Sequence, residues 1–375
     1  MDEATDALLR LVLAGGGIAA RRALLETHGG ATAALAAGAH AWRAAGLGPE
    51  QVATLRRPDP AALARGHAWL QAAGHHLVGW TDPDYPPLLR RGANPPVALF
   101  VAGEPARLWH PHLAVVGSRA ASAGGLDNAR AFAGALAAAG FGVASGMAAG
   151  IDTAAHEAAL AAGGLTVAVL GTGPDVPYPR ANRALHARIA DTGAVVSEYP
   201  PGTRALKEYF PNRNRILAGL SLGTLVVEAA LRSGALITAR QAADAGREVF
   251  AIPGSIHNPV ARGCHRLLRE GAALVEDAGE VIAALAPLAG ELGDALRARL
   301  GGTTVPPVAA GSAAVPDLPA PDHQRLWKAL GHDPTGMDQL AERTGLTPAE
   351  LSSMLLLMEL EGRVVHAHGR YSRKR

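Results

Sequence analysis

Between residues 113 and 275 the chain alternates short, continuously apolar runs with longer segments of helical periodicity. Apolar runs rich in valine and isoleucine are typical of strands buried on both faces, as in parallel sheets covered by helices. The pattern therefore predicts an α/β fold with a doubly wound, mainly parallel, Rossmann-like sheet that binds ligands at the carboxyl ends of its strands. One more strand is expected ahead of this unit, at residues 95–101. The predicted strands of the unit are residues 113–116, 142–144, 166–170, 194–197, 225–227, 249–252 and 273–275.

The N-terminal 80 residues show the helical spacing of apolar positions instead. Glycine-rich turns at residues 15–18 and 46–50 each join two helical patterns, as in a helix-hairpin-helix. Few basic residues lie near these turns, which favours plain connectors in a small helical domain over a phosphate-binding role.

The C-terminal part divides into a linker and a small domain. Residues 286–321 are predicted to be a linker, because five prolines and three glycines fall within 301–321. Residues 322–375 show helical patterns, a tight turn at Gly345 and a short extended end, which predict a winged-helix-like domain. The predicted domains are thus residues 1–80, 81–285 and 322–375.

The helix expected at about residues 348–361 holds the recognition position of that small domain. It carries Glu350, Glu359 and Glu361 and neither lysine nor arginine. Phosphates of a major groove would repel such a helix, so the domain is expected to bind protein or to be accessory.

The amino-acid composition limits the classes of function that the chain can have. The formal net charge is +2, so any nucleic-acid site must be a local cluster of basic residues. Cys264 is the single cysteine, which excludes an intrachain disulfide framework and a four-cysteine metal site. The start Met-Asp-Glu shows no positively charged or long apolar region, and apolar stretches are broken before membrane-spanning length. Neither a secretory signal nor a membrane span is therefore expected, and a cytoplasmic protein is predicted.

The sequence KEYFPNRNR at residues 207–215 concentrates cations beside an aromatic ring. Lys207, Phe210, Arg213 and Arg215 belong to it, and Pro211 suits the first turn of a helix. Basic groups for phosphates beside a ring for bases is how single-stranded nucleic acid is held without sequence readout. Taken alone, the cluster is equally well a solvated charged turn with a core phenylalanine.

Its position after the fourth strand of a parallel sheet favours a binding site. The carboxyl ends of strands one and two carry Ser118, Arg119, Ser145 and Gly146, which the topology brings to the same edge. Asn214 lies within the cluster and is included in the candidate site. The chain has no P-loop, and Val176 stands where a dinucleotide fingerprint needs its third glycine. No nucleotide cofactor is therefore expected, and a polynucleotide is the favoured source of phosphate.

Asp152 and His156, four residues apart, could form an acid–base pair or bind a metal. Because no third ligand is spaced nearby, a structural helix cap with a hydrogen-bonded histidine is favoured, and no metal is expected.

Ten blocks of sequence resemble the DNA-processing protein A (DprA/Smf) family, in order from about residue 84 to 275. The blocks are DYPPLL (84–89), PPVALF (95–100), VVGSR (115–119), SGMAAGIDTAAH (145–156), YP (178–179), SEYP (197–200), FPNRNR (210–215), VVEA (226–229), SGALITA (233–239) and VFAIPG (249–254). The N-terminal helices resemble that family's sterile-alpha-motif-like domain, and the C-terminal unit resembles its optional winged-helix-like domain.

The resemblance implies an extended Rossmann fold without catalysis that binds single-stranded DNA and loads the recombinase RecA onto it during natural transformation. It also implies a homodimer built through the Rossmann domain. By matching position, the phosphates would be held by Arg119, Lys207, Arg213 and Arg215. Phe210 would stack on a base, and the pocket would be lined by Ser118, Ser145 and Gly146.

The competing interpretation is an enzyme. The sequence GTLVVE at residues 223–228 loosely resembles the Gly-Thr-x-x-Glu of nucleotide phosphoribohydrolases, with Glu228 as the catalytic carboxylate. One extra residue separates Thr224 from Glu228, so this glutamate is instead expected to organise nearby arginines.

Overall fold

The computed structural model describes residues 2–92, 94–299, 325–327, 329–330, 334–367 and 369–373. The chain forms two compact units, residues 1–307 and residues 308–375. The part of the predicted linker at residues 300–321 lies outside the described residues.

Six helices precede the sheet. Asp2 caps the first of them by accepting a hydrogen bond from the Thr5 amide at 2.8 Å, and Asp59 caps the sixth ahead of Pro60. These caps satisfy amides that would otherwise lack partners at a helix N-terminus. The helices are α1 (Glu3–Leu13), α2 (Ile18–His28), α3 (Ala31–Ala36), α4 (Gly38–Ala44), α5 (Pro49–Arg56) and α6 (Pro60–Leu70).

The sheet of the first unit has nine strands in the order β1-β2-β6-β5-β4-β3-β7-β8-β9. The strands are β1 (His75–Gly79), β2 (Ala98–Gly103), β3 (His112–Val116), β4 (Gly142–Ser145), β5 (Thr166–Val169), β6 (Ala194–Ser197), β7 (Gly223–Val226), β8 (Glu248–Ala251) and β9 (Ala273–Leu274). From β6 to β9 every pairing is parallel, which confirms the mainly parallel sheet.

Helices cover both faces of the sheet. They are α7 (Pro87–Arg90), α8 (Ala123–Ala138), α9 (Ile151–Ala161), α10 (Arg183–Thr192), α11 (Tyr209–Leu220), α12 (Gly234–Asp244), α13 (Arg262–Arg269) and α14 (Ala278–Arg299). The strand order turns back beside β3, which lies between β4 and β7, so the carboxyl ends of these strands flank a switch point where ligands bind in such folds.

Two features at the ends of this unit differ from the sequence-based expectation. β1 lies within the region expected to be helical, and it pairs with β2 in antiparallel fashion, as β2 does with β6. A five-residue strand beside a long helical region is too short for its period to stand out. At the other end, α14 runs through residues 286–299, the first part of the predicted linker, with Pro287 inside it.

The N-terminal helices share one hydrophobic core with the sheet. Leu9 and Trp69 from the helices belong to the same buried cluster as Phe100 of β2 and Val195 of β6. The rings of Trp69 and Phe100 meet edge to face, with centroids 5.7 Å apart. Residues 2–80 are therefore packed against the sheet as part of the first unit.

The second unit contains a helix–turn–helix followed by a hairpin, as the sequence predicts. Its elements are β10 (Thr335–Gly336), α15 (Met337–Thr344), α16 (Pro348–Leu360), β11 (Val364–Ala367) and β12 (Arg370–Arg373). Thr347 and Glu350 form a capping box at the start of α16. Gly345 adopts φ +70° in the turn between the two helices, which explains the glycine there. Among the described residues of the chain, no helix has the length and apolar character needed to cross a membrane.

We expect Phe100→Ala to lower the free energy of unfolding by about 3–5 kcal/mol, because it leaves a cavity in this shared core. Urea unfolding followed by circular dichroism measures the change. Leu288→Ala, at a side chain that is 44% exposed on α14, is the control and should change stability by less than about 0.5 kcal/mol. Loss of the N-terminal helical signal alone, with the sheet unaffected, would contradict a shared core.

Candidate functional site

A cleft of about 840 Å³ lies at the carboxyl edge of the sheet. The loop after β3, the first turn of α11 and the N-terminus of α12 form its walls. Its lining residues include Ser118, Arg119, Ala148, Asp152, Tyr178, Lys207, Phe210, Arg213, Asn214, Arg232, Ser233 and Ile237. The cleft therefore brings together residues that are more than 100 positions apart in the sequence, as the topology predicts.

Three exposed cations line this cleft: Arg119, Lys207 and Arg232. Arg119 follows β3, Lys207 lies just before α11, and Arg232 precedes the cap of α12. Sequence reasoning identified the first two and missed Arg232. Its position one residue before Ser233, which the sequence places at the same edge, was the available signal.

Phe210 supplies an aromatic surface between these cations. Its ring centroid lies 5.1 Å from that of Tyr178, at an interplanar angle of 41°. The guanidinium carbon of Arg119 lies 5.6 Å from the centroid of the Phe210 ring. Tyr178 is 43% exposed, so the two rings form a partly open apolar surface that a planar group could contact.

The N-terminus of α12 adds an electropositive wall. Ser233 caps this 11-residue helix, and its hydroxyl accepts a hydrogen bond from the Ala235 amide at 3.2 Å. The remaining first-turn amides and the helix dipole favour an anion in the cleft.

Arg213, expected to hold a phosphate, is instead a buried cation beneath the cleft, only 5% exposed. It donates from Nη1 to the carbonyl oxygen of Gly146 at 2.8 Å and to that of Val169, and from Nε to Asn214 Oδ1 at 3.2 Å. Desolvation lowers the pKa of Arg213 to about 10, although Asp152 acts in the opposite direction.

Asn214, 8% exposed, continues this network: its Nδ2 donates to the carbonyl oxygen of Gly234 at 3.3 Å, at the start of α12. The polar atoms of Arg213 and Asn214 are therefore largely used within the protein.

Ser145 and Gly146 lie below the surface of the cleft. The Ser145 side chain is fully buried and donates to the carbonyl oxygen of Val115 at 2.6 Å, so it ties β4 to β3. A Cβ at Gly146 would collide with the guanidinium of Arg213. Glycine is needed here because the backbone must approach that side chain closely.

Arg215 projects away from the cleft. It forms a salt bridge with Glu198, and the two side chains are 14% and 12% exposed. Burial raises the pKa of Glu198, while the charge of Arg215 opposes this change. Since residues 213 and 215 differ by about 200° around a helix, the two arginines cannot face the same side of α11.

Asp152 and His156 have structural positions. The Asp152 carboxylate accepts from the amides of Gly146 at 3.1 Å and Ala148 at 3.3 Å, so it caps the loop before α9, while Gly150 is the N-cap of the helix itself. His156 is buried, and its Nδ1 hydrogen-bonds Thr166 Oγ1 at 2.7 Å, as expected. Desolvation and, secondarily, Arg213 lower the pKa of His156 to about 3, which keeps the ring neutral. No cluster of three metal-ligating side chains occurs in the described part of the chain.

Glu228 was expected to organise nearby arginines, but among the described residues it hydrogen-bonds Ser122 and Asn258 and forms no ion pair with an arginine. Its carboxylate accepts from Ser122 N at 2.9 Å, Ser122 Oγ at 2.5 Å and Asn258 Nδ2 at 3.1 Å. It is 6% exposed and fixes the N-terminus of α8.

Comparison with protein families gives two matches. The model of DNA recombination-mediator protein A matches residues 76–286, more than half of the chain, and that of the DprA winged helix domain matches residues 309–370. The chain belongs to the DNA recombination-mediator protein A family.

Individual members of the family are similar to this chain in sequence and in structure. Protein Smf of Escherichia coli is 42% identical over 82% of this chain and 79% of its own length. The DNA processing protein DprA of Streptococcus pneumoniae is 49% identical over 54% of this chain and 71% of its own length. The solved structure of the S. pneumoniae protein covers 76% of this chain and 98% of its own, at 38% identity and a TM-score of 0.67.

A second solved structure shares the fold over a smaller part. DNA processing protein A from Helicobacter pylori, described with a unique single-stranded DNA binding mode, is 28% identical. It covers 54% of this chain and 93% of its own, with a TM-score of 0.50.

The buried histidine should leave a measurable pH dependence. The pKa of His156 is about 3 in the folded chain and about 6.5 in the unfolded one. Between pH 6.5 and pH 3 the His156 imidazole is protonated in the unfolded chain but stays neutral in the folded chain. This histidine therefore makes the free energy of unfolding fall by up to about 1.4 kcal/mol per pH unit in that window.

We expect His156→Asn, whose Nδ2 keeps a hydrogen-bond donor near the position of Nδ1 for Thr166 Oγ1, to flatten the slope of stability against pH by that amount. Denaturant unfolding at several pH values measures the slope, with exposed His257→Asn as the control. An unchanged slope in His156→Asn would show that the ring titrates normally in the folded protein.

Proposed function

We propose that the cleft binds single-stranded DNA, with phosphates on the exposed cations and a base on the Phe210–Tyr178 surface. The observation that carries the proposal is the placement of Arg119, Lys207 and Arg232 around an aromatic surface at a helix N-terminus. Such a combination suits a strand whose bases are unpaired and whose backbone is charged. The H. pylori relative, described by its single-stranded DNA binding mode, supports the same ligand class.

The protein is further proposed to act without catalysis, as a mediator that loads the RecA recombinase onto the bound strand during natural transformation in the cytoplasm. Family membership supports this role. The carboxylate of the enzyme alternative, Glu228, has both oxygens engaged by Ser122 and Asn258. Release of free base from nucleoside monophosphates, lost in Glu228→Gln, would contradict the non-catalytic assignment.

We also propose that the protein forms a homodimer through its Rossmann-like domain. Ile256 and Leu274, which are 73% and 53% exposed, are apolar side chains late in that part, and Leu274 lies on the edge strand β9. Their burial against a second copy would remove apolar surface from water.

The C-terminal unit is proposed to contact protein. On α16, Leu356 and Leu357 are 58% and 46% exposed, and the helix carries Glu350 and Glu359 without a basic residue. Such a surface suits an apolar protein contact better than a phosphate backbone.

We expect Lys207→Ala and Arg119→Ala each to weaken the binding of all single-stranded sequences alike. Each variant should also reduce the slope of log K against log salt by about 0.7, because one phosphate contact is lost. Fluorescence anisotropy with labelled oligo-dT and a mixed-sequence strand, at four salt concentrations, measures both effects. A duplex of the mixed sequence tests the preference for single strands.

Arg130→Ala is the matched control, because this exposed arginine lies on α8, outside the residues that line the cleft. Binding in Lys207→Ala and Arg119→Ala that equals that of Arg130→Ala would overturn the cleft assignment.

Phe210→Ala should weaken binding by about 1–3 kcal/mol and leave the salt slope unchanged, because stacking involves no counterion release. Phe210→Tyr keeps the ring and should retain most of the affinity. The same titrations measure this, and equal losses in both variants would show that the ring does not stack on a base.

A further inference from the structure

The cleft has a buried polar support that joins its walls. Arg213 lies on α11, one helical turn after Phe210, and the two side chains lie within about 60° of one another around the helix. Its guanidinium donates to carbonyl oxygens at the ends of two neighbouring strands: Gly146 after β4 and Val169 of β5. A single side chain thereby fixes how the first turn of α11 sits on the sheet.

The loop that Arg213 contacts forms part of the cleft wall through Ala148. Within this loop Met147 is fully buried and has φ +58°, a left-handed conformation that a non-glycine residue adopts only under constraint. Four hydrogen bonds from three side chains provide this constraint. Asp152 accepts from Gly146 and Ala148, Arg213 donates to the Gly146 carbonyl, and Asn182 donates to the Met147 carbonyl at 3.0 Å.

The same network reaches the third wall of the cleft. Asn214 accepts from Arg213 Nε and donates to the carbonyl oxygen of Gly234, the first residue of α12. The neighbouring residues Arg232 and Ser233 line the cleft.

We propose that Arg213 is a positioning residue, which sets Phe210 and the loop at 146–149 for stacking on a base, and that it is not a phosphate ligand. This inference rests on the proposed function. Arg213 lines the floor of the cleft, but it is only 5% exposed, and its Nη1 and Nε already donate to Gly146, Val169 and Asn214.

The role requires the shape of arginine as well as its charge. The planar guanidinium donates from Nη1 to two carbonyl oxygens and from Nε to Asn214 Oδ1, whereas a lysine ammonium is a compact point charge on a flexible stem and donates from one atom. Gly146 is the complementary residue, because any side chain there would occupy the space of the guanidinium.

The test uses the full-length chain and a single strand that carries 2-aminopurine, whose fluorescence changes with the stacking of the base. We expect Arg213→Gln and Arg213→Lys each to lower affinity about 10-fold or more, with the salt slope of the wild type. At saturating protein they should also lose most of the fluorescence change. Lys207→Ala should do the opposite: a smaller salt slope, with the full fluorescence change at saturation.

Gly146→Ala provides an independent variant with no change in charge. The added Cβ would displace the guanidinium of Arg213. This variant should therefore also lose the fluorescence change, with an unchanged salt slope. It also serves if Arg213→Gln fails to fold, which thermal unfolding would reveal.

A pairwise comparison adds a second readout. Phe210→Ala should weaken binding by roughly 5- to 150-fold in the wild-type background and by much less in the Gly146→Ala background, since the ring is no longer placed for stacking.

A reduced salt slope in Arg213→Gln but not in the charge-keeping Arg213→Lys, with the fluorescence change retained at saturation in both, would overturn the inference and make Arg213 a phosphate ligand. Absence of single-strand binding by the wild-type protein would instead refute the proposed function, so the two failures are distinguishable.

Discussion

The cleft depends on hydrogen bonds between one buried guanidinium and the ends of two strands. Arg213 donates hydrogen bonds to the carbonyl oxygens of Gly146, which follows β4, and of Val169, which ends β5. At these positions the backbone leaves the sheet and loses its ladder partners. Buried carbonyl groups without partners cost free energy, so a side chain that satisfies both also defines where the loops can lie. The positions of Phe210 and of the loop at 146–149 follow from this contact.

Burial of that charge carries a cost that the surroundings offset. Desolvation dominates the lowered pKa of Arg213 and the raised pKa of Asp152, while each charge favours the ionised form of the other. The Asp152 carboxylate also accepts two backbone amides, which lowers its pKa relative to burial alone. A buried charge of either sign would be costly by itself, and removing one member leaves the other uncompensated. The network is therefore expected to behave as a unit, in which Gly146 supplies the space for the guanidinium.

Sequence patterns predicted the mainly parallel sheet and the edge where its loops converge, because apolar runs such as residues 113–116 and 194–197 carry a strong periodic signal. They also predicted that Arg119, Lys207 and Phe210 meet, which the cleft shows. They could not show which of Arg213 and Arg215 is buried in the cleft floor, because the sequence gives two arginines two positions apart and says nothing of burial. Helical geometry alone places these side chains on opposite sides of α11, so that part was available. The antiparallel strand β1 and the burial of Ser145 depend on tertiary packing, which no local pattern encodes.

Arg213 and Arg215 connect the two sides of α11 to different parts of the protein. On one side Arg213 holds the walls of the cleft. On the other, Arg215 pairs with Glu198, whose pKa also responds to the charge of Arg21 in α2. Arg21 in turn donates to the carbonyl oxygens of Leu11, Val12 and Gly16, and so closes the first glycine turn between α1 and α2. Carbonyl oxygens at that turn are thus satisfied from within the helical region. The ion pair of Arg215 and Glu198, together with the nearby charge of Arg21, thus links α2 to the side of α11 that faces away from Arg213.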